Sequence, residues 1–495
     1  MREINAIKVH QWLRHWDEFE YDPMLLRSKP PGSFYMFSVR ASDLRALSGV
    51  HARRRSQPGF DSGIQRGHEE NRSNEIRRFI QDGFPYSSLT ETQRASHRYD
   101  HFRQPGWLAT SIVVNILKRD DKRRDIGVVK NDLITIKGAE STSPKIVLPD
   151  SFNGAAWKPG ALPPLEVIDG QHRLFAFSGN TDFELPVVAF HGLDLGWQAY
   201  LFWTINIKPK KINASLAFDL YPLLRTQEWL EQGDDFGVYR QTRAQELVEA
   251  LWSVPSSPWY QKINMLGDRG RAYVSQAAWI RSLTSALIKR SEGKGITIGG
   301  LFAGDTANDP LGWNRQQQSA FLVFFWQQFK EAVADTNGSW AKALRRSSDA
   351  DGDAAFYGQH SLINQDQGVR VLLHVLNDVC VLMREDYDFD DWASEEDFTG
   401  EINVRGVAQS VRAIAKYEFA GLVGILCETL ARYDWRSSNA PGLSEDALLR
   451  RKTYRGSGGY RELRIDVLTF IQKNNTTLRK AANESLAGMR SAAGQ

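Results

Sequence analysis

Val167-Ile168-Asp169-Gly170-Gln171-His172-Arg173-Leu174-Phe175-Ala176 is the stretch on which the reading of this 495-residue chain turns. Two β-branched residues lead into an acidic-glycine turn, and the turn opens an apolar-periodic segment headed by Gln171, His172 and Arg173. That order predicts a strand over Leu165 to Ile168 feeding a helix that runs to about Ser178. Free N–H groups and the dipole at a helix N-terminus favour an anion, and phosphate is the first candidate. Gly170 tolerates positive φ and lets the backbone approach a ligand. Asp169 can orient His172 or Arg173, hold a phosphate-bound Mg²⁺, or cap the helix. Arg173 offers a planar, always-charged fork, His172 a second donor, and Gln171 can position a water or a base edge. The structural alternative is an N-capped helix whose Arg173 pairs with a surface carboxylate, and the residues alone leave both readings open.

Outward from the motif the pattern is mixed strand and helix. Ser33 to Arg40 is rich in aromatic and β-branched residues and predicts a strand, followed by a short helix with Ser42 as N-cap. His51 to Arg66, with Arg53-Arg54-Arg55 and Pro58-Gly59, predicts an exposed loop, and Glu69 to Gln81 a helix carrying Ile76, Phe79 and Ile80 on one face. A polar segment near 82–105 has no periodicity and is assigned as an insertion. Strands are expected at 110–117, 133–136, 146–148 and 185–190, and a helix from Asp194 to Asn206. The mixed-charge run Lys118 to Asp125 predicts a solvated turn.

Beyond about Ser215 the periodicity becomes helical nearly throughout, with helices expected around 216–232, 242–253, 275–290, 316–333, 369–383, 404–433 and 463–489. Asn337 to Gly352 and the acid-rich Asp386 to Glu401 read as linkers. The expected class is α+β: a mixed α/β domain over 1–223 and an all-helical domain over 224–495. Hydrophobic residues at 42%, charged residues at 24% and a formal charge of +3 argue against wholesale disorder and leave any nucleic-acid case to local clusters. Cys380 and Cys427 lie in apolar helical runs without a CxxC or Cys/His pattern, which predicts buried reduced thiols. With no apolar signal core at the N-terminus and no run of about 18 apolar residues, a cytoplasmic location without a membrane is expected.

Asp-Gly-Gln-His-Arg at the mouth of a helix resembles the signature of the DGQHR-domain family, whose members serve DNA phosphorothioation and 7-deazaguanine DNA-modification systems. The resemblance is strong over the motif, extends over about 33–223 in the order of elements, and does not reach the C-terminal half. It implies a ParB/sulfiredoxin-like fold and a nucleotide site built on Asp169, Gly170, Gln171, His172 and Arg173. The stretch Thr204 to Asn213 is similar to the family's Asn-containing, Lys/Pro-rich turn. The resemblance implies that Asn206, Lys208 and Lys210 serve a nucleotide's outer phosphates or a DNA backbone, the residues alone equally allowing a solvated basic loop, and Gln65-Arg66 resembles an early Gln-Arg pair. Gln171 stands where sulfiredoxin chemistry needs a nucleophilic cysteine, so thiol repair is set aside. No GxxxxGK[ST] sequence occurs.

The resulting expectation is an ATP- or other NTP-binding, NTP-hydrolysing component of a bacterial DNA-modification or phage-defence system. Asp169, Gln171 and His172 are its candidate catalytic residues, with Mg at Asp169. The alternatives are a DndB-like DNA-binding transcriptional regulator and a non-catalytic scaffold for DNA-modification enzyme subunits, either of them compatible with a homo-oligomer. Arg53, Arg54, Arg55, Arg455, Tyr460 and Arg461 are further candidates for DNA contact, by charge and by stacking. The alternative for each of these is a solvated loop. Trp229, Trp252, Trp279 and Trp326 are expected in the core.

Overall fold

A computed structural model describes residues 2–21, 28–49, 70–177, 183–206, 214–219, 237–268, 270, 272–289, 298–303, 311–347, 350–393, 402–454 and 458–491. The chain is α+β and divides into two compact units, Met1–Lys211 and Ile212–Gln495.

In the first unit the chain begins with β1 (Glu3–Asn5) and β2 (Ile7–His10), which part at the buried Ala6 and enter different sheets. The elements that follow are β3 (Ser33–Arg40), α1 (Ala41–Leu47), β4 (Ser48–Gly49), α2 (Glu70–Asp82), α3 (Glu91–Ala95) and β5 (Ile112–Ile116). After these come β6 (Lys122–Arg123), β7 (Ile126–Gly127), β8 (Thr135–Lys137), β9 (Lys145–Val147), β10 (Leu165–Asp169), α4 (Gln171–Phe175), β11 (Glu184–His191) and α5 (Leu195–Asn206). Six strands form the main sheet in the order β2-β3-β11-β5-β10-β4, while β1, β9 and β8 form a smaller antiparallel one. At the centre β11 runs parallel to β5, and β10 runs antiparallel to it.

Alternation along β5 explains the layers. Ile112, Val114 and Ile116 face a core shared with Leu165, Val167, Leu185, Val187 and Leu174. Val113 turns to the opposite face, where Ile168 and Leu193 meet Trp197, Leu201 and Phe202 of α5. Each fully buried aliphatic side chain contributes roughly 1.5 to 3 kcal/mol. A bulge interrupts β10: Val167 pairs with Val114 and Asp169 with Val113, so one residue is gained before the motif turn.

Several expectations shift in detail. The motif helix ends at Phe175, one turn instead of two, and α1 starts without a side-chain cap from Ser42, its N-cap being Arg40. The 82–105 segment is not featureless, since Thr90 and Gln93 form a capping box at α3 and Tyr86, Leu89, Tyr99 and Phe102 are buried. Nor is the Lys118 to Asp125 run wholly solvated. Arg124 and Asp125 take positive φ in the β6–β7 hairpin, and this turns Arg123 inward onto Glu166.

Among the described residues no strand follows β11. The second unit contains α6 (Ala214–Asp219), α7 (Gly237–Ser253), α8 (Gln276–Ala286), α9 (Arg315–Asp335), α10 (Ser339–Ser347), α11 (Ala354–Tyr357) and α12 (Asp366–Leu382). It continues with α13 (Val404–Ile414), α14 (Phe419–Ala431), α15 (Glu445–Lys452), α16 (Gly459–Asn474) and α17 (Arg479–Ser491). Its core centres on Trp259, Trp279 and Trp326, whose rings meet edge to face at 5.1 to 5.3 Å. Trp252 is instead 37% exposed, and Trp229 lies outside the described residues. Cys380 and Cys427 are free and buried, and burial pushes both thiols up from their ordinary pKa. The expected linker at Asn337 to Gly352 contains α10, because Trp340, Ala341 and Leu344 share a buried face. In the second expected linker Phe389 and Trp392 are buried on a 3-10 turn. No described helix is long and apolar enough to cross a membrane.

Candidate functional site

The bulge in β10 delivers Asp169 to the rim of the sheet, and Gly170 then turns the chain at φ 94° into α4. A Cβ at Gly170 would lie 2.7 Å from Ile112 Cδ1 and 3.1 Å from Arg173 Nη2. Glycine is therefore needed twice, for the left-handed backbone and for the guanidinium that folds back over it. Arg173 Nη2 donates to Asp169 Oδ2 at 2.7 Å, and its Nη1 donates to the carbonyls of Thr110 and Ser111, each at 2.9 Å. The two side chains are 18% and 17% exposed, so this is a largely enclosed ion pair stapling the turn to the start of β5. Asp169 does not cap α4, whose N-cap is Gly170 with no side-chain bond.

The other oxygen of Asp169 faces α5. Asn206 Nδ2 donates to Asp169 Oδ1 at 3.2 Å and to the carbonyl of Phe202 at 2.9 Å. Two stretches far apart in sequence are thereby joined at one end of the sheet. The placement of α5 is set at its other end. Asn115, wholly buried, accepts from Leu193 N and donates to Leu193 O, and the buried Gln198 donates to the same carbonyl. Behind α4, Ser73 Oγ donates to His172 O and Arg77 Nε to Ala176 O, so α2 clasps the motif helix from the side away from α5. Gln171 is buried, while His172 and the edge of the Asp169–Arg173 pair remain partly open.

This arrangement brings Asp169, Gly170, Gln171, His172, Arg173 and Asn206 together. Lys208, Lys210, Gln65, Arg66, Arg53, Arg54, Arg55 and Arg455 lie outside the described residues. Tyr460 is not an open stacking platform: its hydroxyl donates to Asp366 Oδ2 at 2.9 Å, and the Arg370 guanidinium lies 4.4 Å over its ring. Arg461 is exposed and donates to Met489 O. At Asp169, the residue expected to hold magnesium, each carboxylate oxygen accepts a hydrogen bond within the fold, Oδ2 from Arg173 and Oδ1 from Asn206.

Two features escaped the reading from sequence. One is the buried Arg123–Glu166 pair, with Nε to Oε1 at 2.9 Å and Nη2 to Oε2 at 2.5 Å, which fixes the β6–β7 hairpin against β10. The other is a ring-lined pocket where α5 starts, assembled from residues near 11–21, 30–34 and 190–201. Its one visible signal is the density of aromatics between Trp12 and Tyr21. No family model, curated protein or solved structure matches the chain.

Proposed function

We propose that this chain is a nucleotide-binding component of a bacterial DNA-modification or phage-defence system, of the DGQHR-domain kind with a ParB/sulfiredoxin-like first unit and a helical second one. The nucleotide's phosphates lie at the rim formed by the Asp169–Arg173 turn and the end of α5. Lys208 and Lys210, just beyond Asn206, supply the positive charge. One observation carries the reading: the Asn206 to Asp169 hydrogen bond, which joins the two stretches that resemble the family. Arg173 serves mainly as the staple of that rim, since both terminal nitrogens of its guanidinium are engaged within the fold. Asp169, with one oxygen paired to Arg173 and the other to Asn206, organises that rim.

Calorimetric titration of ATP, GTP and CTP, with and without Mg²⁺, tests this on the wild type, Asn206→Ala and Lys208→Ala/Lys210→Ala. Binding that weakens about tenfold in Asn206→Ala, for one lost contact, and further in the double variant, which loses two cations, is expected. Equal affinity in all three proteins would remove the site. Mg²⁺-dependent turnover would support the hydrolytic reading.

A second reading, a DNA-binding regulator, draws on charge. The unit spanning 1–211 holds 30 Lys and Arg against 24 Asp and Glu, whereas 212–495 holds 32 against 35. It calls for duplex affinity that falls steeply with salt and is indifferent to nucleotide.

A further inference from the structure

At the opposite end of α5 from Asn206 a pocket of 360 Å³ opens, walled by Trp12, Trp16, Tyr21, Phe34, Trp197 and Tyr200. That volume sits at the small end of the range for small-molecule sites. Large rings normally fill a core, yet here Trp16 is 40% and Tyr200 52% exposed. The walls are held apart by bonds of their own. Trp12 Nε1 donates to Asp17 Oδ1 at 3.0 Å, and Trp197 Nε1 donates to the carbonyl of Ser28 at 2.8 Å. Edge contacts between Trp16 and Phe19, Phe19 and Tyr21, and Tyr21 and Trp197 continue the wall. A cavity propped open in this way is pre-organised for a ligand.

Its chemistry selects the ligand class. Among the described residues no charged side chain lines the pocket, so none of them neutralises an anion inside it. Two carboxylates beside the walls are engaged: Asp17 receives Trp12 and Lys29, and Asp194 receives Ser28 and the backbone of Trp197. Lys29 sits 5.4 Å over the Trp12 ring, where a cationic ligand would have to displace it. What remains is a flat, uncharged ring system. It would stack on the aromatic walls and meet hydrogen-bonding groups at its edges, for which Gln11, Ser33 and the tyrosines are available.

We infer that this pocket binds a planar, uncharged, hydrogen-bonding heterocycle of nucleobase type, presented either as a free nucleoside or as an unpaired base of a DNA strand. The site is separate from the Asp169 rim and does not rest on the nucleotide reading. Tryptophan fluorescence and calorimetry would follow titration of the full chain with adenosine, guanosine, cytidine and thymidine, beside tetramethylammonium and cyclohexanol as cationic and aliphatic probes. A second arm compares a single-stranded oligonucleotide with the same strand carrying abasic positions.

At least one nucleoside, or the intact strand in preference to the abasic one, is expected to bind. Trp16→Ala and Tyr200→Ala should each weaken that binding about tenfold, the usual worth of one stacking partner. Trp203→Ala, on the same helix but outside the lining, should leave it unchanged. Nucleoside binding without preference for the intact strand assigns the free ligand, and the reverse assigns DNA. The inference is overturned if no base-bearing probe binds at millimolar concentration, if tetramethylammonium or cyclohexanol binds as tightly, or if the two wall variants, folded by thermal melting, bind like wild type.

Discussion

Alanine at position 170 would put a methyl group against both Ile112 and the Arg173 guanidinium, on a backbone already at φ 94°. The combined left-handed strain and overpacking should cost about 2 kcal/mol or more, measured by chemical denaturation. Arg173→Ala removes three hydrogen bonds from a mostly enclosed ion pair, and a loss of about 2 kcal/mol is expected. Asn206 is exposed, so Asn206→Ala should change stability by less than about 0.5 kcal/mol, and a defect in ligand binding would then report on the site itself. For the buried Arg123–Glu166 pair, Glu166→Ala should destabilise by about 3 kcal/mol because it strands a guanidinium in the core. The double variant Arg123→Met/Glu166→Leu should recover most of that. If the double variant is as unstable as the single, the desolvation account of this pair is wrong.

Within the helical unit one element invites a pH experiment. On α12, His374 has Ser285 Oγ 3.3 Å from Nε2 and Arg464 Nη1 3.5 Å from Nδ1, with Lys289 and Arg370 also nearby. The one carboxylate in the group, Asp378, is held by Arg464 and Ser485. Burial first, then the three cations, hold the imidazole well below its ordinary pKa, so the folded protein keeps it neutral. The unfolded chain takes up a proton below about pH 6.5, and the stabilisation from this residue is lost as pH falls through that value. The thermal midpoint should drop on acidification toward about pH 5, and His374→Gln should flatten the drop. An unchanged acid profile in the variant would assign it to other groups. Elements were legible in sequence wherever one composition ran uninterrupted, aromatic and β-branched in β3 and predominantly apolar in β11 and α5. The expected helices over 404–433 and 463–489 are each two. Asn475 leaves the helical conformation, and its side chain accepts from Leu478 N and donates to Thr429 Oγ1, a cue written in Asn474-Asn475-Thr476-Thr477 that apolar spacing hides. The motif itself was legible as a turn, yet the partners of Arg173 were not, because Thr110 and Ser111 reach it through the sheet and not along the chain.

For the molecule as a whole, the positive excess lies in the first unit and the second carries a small negative excess, so under the DNA-binding reading the first unit is the one expected to hold a polyanion. Duplex or single-strand binding by the full chain should therefore weaken steeply with added salt, and charge-reversing substitutions in the first unit should lessen the slope. Helix α5 gives this unit a property beyond its two ends. One rigid rod carries Trp197 and Tyr200 at the ring-lined pocket and Asn206 at the acidic turn, and Asn115 with Gln198 pin its origin. Linkage then requires reciprocity: if adenosine at one end shifts the rod and alters the affinity for a triphosphate at the other, the triphosphate must alter the affinity for adenosine by the same factor. Paired titrations, each performed with the other ligand saturating, would read that factor from both directions.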